Sequence, residues 1–386
     1  MITDRSKIMR SHICFITSAF TRQDSLMVIR QGRTLVDAGF KVSYLLCDGL
    51  PPETKYGIDM ISVCKRFTNT RERVKKTPPA IKQFLIANRY TADVFQISEL
   101  ILMPLGLWLK DKGFKVVFNL REYYPEYYAL RFKNKLIHKS VRIILEKYFR
   151  YAMKRYDGLF NCMPEITDYI REVMPCKYFE DVANYPVVNK DFVLSYEDYC
   201  KRENIISYFG SIYKISCQEE FLDAIEPIPD VKYLLAGRFP NENYKNKVMA
   251  KPGWEKVTFR NGFKREELPD IINRSVAGNV MKDFNQTETP QGSYSIIKIF
   301  ESMEAAIPVI LADVPLYKAM VEKYHCGICC DPHNIVEIRN AVKFLIDHKR
   351  EAYEMGQNGR NAVLKEFSWD SQAKSYLKVM NALTIQ

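Results

Sequence analysis

Apolar residues follow two rhythms along this chain. Short, nearly unbroken runs at 12–18 (HICFITS), 41–47 (KVSYLLC), 115–120 (KVVFNL), 205–209 (IISYF) and 309–311 (VIL) have the length of buried parallel strands. Between them, apolar positions recur three and four apart, the period of a helix packed on one face. In the first half, strand 12–18, helix 31–38, a closing Gly39 and strand 41–47 form the βαβ opening of a doubly wound sheet. Strands at 92–97 and 158–162 and helices around 102–110 and 165–173 continue the alternation. A second series starts at 205, with strands at 205–209, 231–236, 257–259, 309–311 and 327–330 interleaved with helices up to 370–383. The doubled pattern predicts two α/β domains, 1–186 and 205–368, with 187–204 as a polar linker. Residues 369–386 read as a C-terminal helix crossing back to the first domain. The basic stretch 65–82, which holds Pro78 and Pro79, reads as a solvated, mobile loop.

The stretch 291–313 (QGSYSIIKIFESMEAAIPVILAD) concentrates the candidate chemistry. Gly292 and Ser293 supply a turn, with Ser293 as N-cap, and Ile296, Ile299, Phe300, Met303 and Ile307 mark a one-faced helix. Pro308 ends it before the apolar strand. Lys298 and Glu301 stand three apart on another face near the helix start, where free backbone N–H groups and the dipole attract anions. Two readings are open: the Lys holds a diphosphate and the Glu a ribose hydroxyl, or the two form a surface ion pair with each other. A polar loop at 283–291 leads into this stretch.

Lys298, Phe300, Glu301, Met303, Ala306, Pro308, Val309 and Ile310 stand where a donor-site signature has them. With them the chain resembles family-four glycosyltransferases of the GT-B fold, a divergent member. The resemblance implies two Rossmann-like doubly wound parallel-sheet domains facing across a cleft. It also implies that Glu301 binds the nucleotide ribose while Lys298 lies near the diphosphate. The family's Gly before Pro is read as Ile307 here, and Ser293 replaces an acidic residue found in many members. Other matches are Asn184-x-Pro186, which in the family opens the linker, Met355-Gly356-x-x-Gly359-Arg360 and Phe367-Ser368-Trp369. Gly210 and Ser211 after strand 205–209 fit a phosphate cradle; Ser216-Cys217 stands for the usual Arg-Gly, so Lys214 is the substitute phosphate ligand. Arg238 either reaches the donor or sits in solvent, and Gly262 with Phe263 match the turn whose backbone meets the base.

In the first domain the match is patchier. Asp24 fits an acceptor-side Asp or a helix N-cap, with Leu26 where the family has Arg. Gln96, Ser98 and Glu99 replace a His-x-His-Asp-type run, leaving Glu99 as the acceptor-side acid. At 119–125 (NLREYYP), Glu122 and Pro125 are kept but Arg121 takes the place of the His beside the transferred sugar. An Arg hydrogen-bonds sugars or phosphates but is no base near neutral pH.

Charge adds a partner. The chain carries a net +11, yet residues 1–185 hold 31 Lys/Arg against 19 Asp/Glu and residues 186–386 hold 26 against 27. The excess is concentrated at 131–155, where nine Lys/Arg accompany one Glu among interleaved aliphatic and aromatic residues. This reads as a membrane-surface helix, or as an amphipathic helix burying its stripe in its own domain. No nucleic-acid motif accompanies the charge. No apolar run reaches the roughly 18 residues of a membrane span, no signal peptide is evident, and ten scattered cysteines suit a reducing cytosol. His325, Cys326, Cys329 and Cys330 lack the second ligand pair of a zinc site, and no Asp-x-Asp is present.

The reading is therefore a metal-independent retaining glycosyltransferase with a nucleotide-sugar co-substrate, UDP-sugar favoured, and no other cofactor. Arg121, Glu122, Lys298 and Glu301 are its catalytic candidates. A lipid-linked or polysaccharide acceptor in surface-glycan assembly is expected, with a cytoplasmic protein peripheral on the inner face of the membrane. The alternative is a non-catalytic GT-B protein that binds a nucleotide-sugar or partners an active transferase, drawn from Arg121, Ser216-Cys217 and Leu26.

Overall fold

The structure, a computed structural model, describes residues 11–285 and 287–384. The charged segment 1–10, expected to lead straight into the first strand, and position 286 of the loop 283–291 lie outside the described residues. Two compact units result: Met1–Asn184 with Asp370–Gln386, and Tyr185–Trp369.

The first unit is built on an eight-stranded sheet of β1 (His12–Ile16), β2 (Lys41–Leu46), β3 (Glu53–Lys55), β4 (Ile58–Ser62), β5 (Val94–Ile97), β6 (Lys115–Leu120), β7 (Gly158–Asn161) and β8 (Tyr178–Asp181). Their order is β3-β4-β2-β1-β5-β6-β7-β8, parallel except for the β3–β4 hairpin. The winding reverses between β1 and β5, whose ends Ile16 and Ile97 are paired. The β3–β4 hairpin is not in the sequence reading: β3 is short and exposed, and in β4 the buried Ile58 and Met60 alternate with half-buried neighbours instead of forming an unbroken apolar run.

Residues 65–82 are corrected most. A helix, Thr70–Ala87, runs straight through Pro78 and Pro79. Asn69 caps it by accepting from the N–H groups of Arg71 and Glu72, and Thr77, Ile81 and Leu85 form a buried stripe at helical spacing. Burial of that stripe outweighs interior prolines, each of which costs about 3 kcal/mol. The last helix, Trp369–Thr384, is held to the first unit's core through Tyr376, whose hydroxyl donates to Gln96 Oε1 at 2.8 Å.

The second unit has a six-stranded, all-parallel sheet of β9 (Ile205–Phe209), β10 (Lys232–Gly237), β11 (Val257–Asn261), β12 (Ala277–Asn279), β13 (Val309–Ala312) and β14 (Gly327–Cys330). The order β11-β10-β9-β12-β13-β14 is that of a Rossmann sheet, with its switch point between β9 and β12. Residues 187–204, read as a linker, carry the short helix Tyr196–Cys200 and belong to this unit: Tyr199 is buried and its hydroxyl donates to Val276 O at 2.9 Å.

Candidate active site

Ligands of open parallel sheets bind beyond the carboxyl ends of the strands, at the switch point. In the second unit that edge is built from glycines. Gly210 follows β9 with φ +111°, a left-handed backbone that side chains rarely adopt. A Cβ on Gly237, at the end of β10, would sit 1.8 Å from the Gly210 carbonyl oxygen, so only glycine lets the two turns lie together. Arg238, one residue on, is exposed and packs against Gly262 after β11, with Nε 3.0 Å from where a Cβ would stand.

Into this edge reaches Lys298. Its helix is Ile297–Glu304, shorter than expected and preceded by Ile296 rather than capped by a side chain. Ser293 is therefore not the N-cap: it is buried, its Oγ accepts from the Ser295 N–H at 3.1 Å, and Tyr317 clasps its backbone. Lys298 Nζ donates to the Tyr208 hydroxyl at 2.7 Å, lies 3.9 Å from that ring's centroid, and borders Gly210. Tyr208 in turn donates to Ser211 O at 2.8 Å. The lysine thus stands over the Gly210 turn at the switch point, supported by an aromatic face.

Glu301, one turn further along the helix, is 5% exposed and ion-paired with Arg265. Lys298 and Glu301 take different partners here, Tyr208 and Arg265. A cavity of about 210 Å³ opens on Glu301, Arg265 and Glu304. Burial raises the neighbouring Glu304 above the ordinary carboxyl value, against the pull of the Asn189 N–H and Arg360. Arg265 and Tyr208 were missed by sequence reasoning, because a buried strand Tyr and a loop Arg give no local signal.

Lys214 stands apart from this group. It lines a separate groove of about 810 Å³ with Glu219, Glu220 and Asp223, which neither Lys298 nor Glu301 lines. Cys217 takes a left-handed φ of +50°, and so does Ala306 at +56°. The glycine-preferring position before Pro308 is thus Ala306, not Ile307. Phe263 packs against the small cluster around Leu268 and Ile271.

In the first unit Asp24 and Arg121 bind each other, and Glu99 is held by the end of β1. Glu99, after β5, accepts from Thr17 Oγ1 at 2.5 Å, Ser18 N at 2.7 Å and the Ser18 hydroxyl, closing the β1–β5 switch point. Asp24 caps the helical stretch from Ser25 by accepting from Met27 N at 2.8 Å, and it pairs with Arg121 at 2.9 Å. Burial works against the Arg121 charge, but Asp24 more than offsets it and raises the guanidinium pKa. Arg121 also lies 4.0 Å over the Phe20 ring. Glu122 is exposed at the start of the helix Tyr124–Ala129.

The cysteines near β14 are core thiols: burial pushes Cys326 and Cys330 up to about 12. Among the described residues no three His, Cys, Asp or Glu side chains cluster as metal ligands would, and no helix is long and apolar enough to cross a membrane.

Residues 215–378 match the model of a family described as glycosyl transferase-like. A comparison with curated protein sequences gives no match. Among solved structures the chain is similar to sucrose-phosphate synthase from Thermosynechococcus elongatus, with 17% identity over 97% of this chain and 99% of that one and a TM-score of 0.74. It is similar to Anabaena HepE in complex with UDP-glucose, at 14% identity over 97% and 100% of the two chains and a TM-score of 0.70. A third is WaaG, a glycosyltransferase involved in lipopolysaccharide biosynthesis, at 14% identity over 95% and 99% and a TM-score of 0.69. These likenesses establish the GT-B fold, and the family match gives its second unit a glycosyl transferase-like region.

Proposed function

We propose that this chain is a retaining, metal-independent glycosyltransferase of family-four type. It moves a sugar, UDP-linked by preference, to a lipid-linked or polysaccharide acceptor in surface-glycan assembly. One observation carries the reading: Lys298 reaches the Gly210 turn at the switch point while Glu301, buried and held by Arg265, faces a cavity of its own. The diphosphate lies at Gly210, where the Lys298 ammonium and backbone N–H groups neutralise the charge that develops as the bond from the sugar to the diphosphate breaks. Glu301 accepts the ribose hydroxyls. UDP is favoured because UDP and UDP-glucose are the ligands of the HepE structures, a neighbour of the same fold. The cationic Lys298 supplies what an Asp-x-Asp-bound metal ion supplies elsewhere.

A second reading, a GT-B protein that binds the donor without turnover, is favoured by Arg121. Locked to Asp24 and kept charged, it has no proton to exchange at neutral pH. UDP-sugar hydrolysis and transfer by the purified chain, with Glu301→Ala as control, separate the two. Release of UDP that the control lacks supports the transferase; tight UDP binding without release supports the binding protein.

A further inference from the structure

The basic helix, Lys135–Met153, does not bury its whole stripe. Phe149, Ala152 and Met153 enter the core, but Leu136 (77% exposed), Ile144 (64%) and Ile137 (47%) stay outside, beside Phe132 (43%) from the preceding turn. Between Phe132 and Ile144 lies an apolar groove of about 330 Å³, walled by Leu100, Val141 and Leu145. Arg131 stands at this groove, 4.7 Å over the Tyr128 ring. The acids nearby are taken up within the unit: Glu146 accepts from the Tyr123 and Tyr169 hydroxyls at 2.6 and 2.7 Å, and Glu126 holds His138 at 2.8 Å. Lys133, Lys135, Lys139 and Lys147 remain exposed around the apolar ridge.

From this we infer that the face formed by residues 130–147 docks on an anionic phospholipid bilayer, with Phe132 and Ile144 inserted and one acyl chain received by the groove beside Arg131. Charge complementarity selects this occupant. A second copy of this chain would have to present a dense acidic surface to the six Lys/Arg of this face, which a basic first half and a near-neutral second half do not favour. A basic helix with an exposed aliphatic ridge is the arrangement that lies in a bilayer interface, its cations at the headgroups and its apolar face among the chains. The inference does not depend on the donor site, since docking needs no nucleotide.

Vesicle co-sedimentation of the full chain tests it. Wild type is expected to bind phosphatidylcholine vesicles containing phosphatidylglycerol at low salt and to ignore pure phosphatidylcholine. Phe132→Ser with Ile144→Ser should weaken binding roughly 10-fold or more while UDP-sugar hydrolysis without vesicles and the melting temperature stay unchanged. A Phe132→Trp variant should be quenched by brominated acyl chains in the anionic vesicles. No binding to anionic vesicles would overturn the inference, as would binding indifferent to the apolar pair, or sedimentation velocity showing a dimer that the pair dissociates. Vesicle binding without UDP binding would leave this surface standing and remove the transferase reading alone.

Discussion

Two switch points, built on the same sheet logic, have opposite contents. In the first unit the crevice between β1 and β5 is filled by protein: Glu99 takes three hydrogen bonds from Thr17 and Ser18, and Arg121 and Asp24 neutralise each other. In the second unit the crevice at β9 is lined by a glycine turn and the Lys298 ammonium, which rests against the Tyr208 phenol. Charges that satisfy one another hold a loop in place; a charge over open backbone is ready for a ligand. The fold alone provides the place, and the side chains decide whether it is structural or receptive.

Substitutions should sort along that line. Lys298→Ala is expected to give the largest effect, a loss of roughly 10²–10³ in turnover with UDP-sugar at nearly unchanged melting temperature, read by steady-state kinetics. Glu99→Ala should do the reverse. It strands buried hydroxyls and an N–H, lowering stability in urea melts by about 2–3 kcal/mol with UDP affinity intact. Asp48→Asn sharpens the same contrast through pH. Burial pushes the Asp48 carboxyl up, but Arg22 at 2.6 Å and the Leu50 N–H pull it below its ordinary 3.8. Stability from this pair is complete above 3.8 and disappears as pH falls through the lower folded value. The variant should therefore be about 2 kcal/mol less stable at neutral pH and equal to wild type at the acid end. The smallest effect is expected at His325, exposed and left-handed (φ +48°) at the end of the helix Pro315–Tyr324. His325→Gly should stabilise by up to about 1 kcal/mol in thermal melts, with no kinetic change.

Strands were legible where burial on both faces leaves an unbroken apolar run: β6 and β9 lie where the residues alone put them. The helix through Pro78 and Pro79 was not, because proline chemistry is local while Ile81 and Leu85 answer to a core assembled from distant strands. The site divides in the same way. Lys298, Glu301 and Gly210 could be named from a helix start and a strand end. Arg265, Tyr208 and Thr17 could not, since each is defined by a partner far along the chain: Tyr208 meets Lys298 across 90 positions and Thr17 meets Glu99 across 82. Ser293 misled because a serine before a helix is an N-cap by default, whereas here its hydroxyl turns to Ser295.

The central claim is that Glu301 and Lys298 serve a nucleotide rather than each other. Titration calorimetry of UDP into wild type and Glu301→Gln tests it directly. The account predicts micromolar-range binding by wild type and a loss of about 10-fold or more in the variant, which keeps the wild-type circular dichroism at the titration temperature although its melting temperature falls with the lost Arg265 pair. Equal UDP affinity in the two proteins would contradict it.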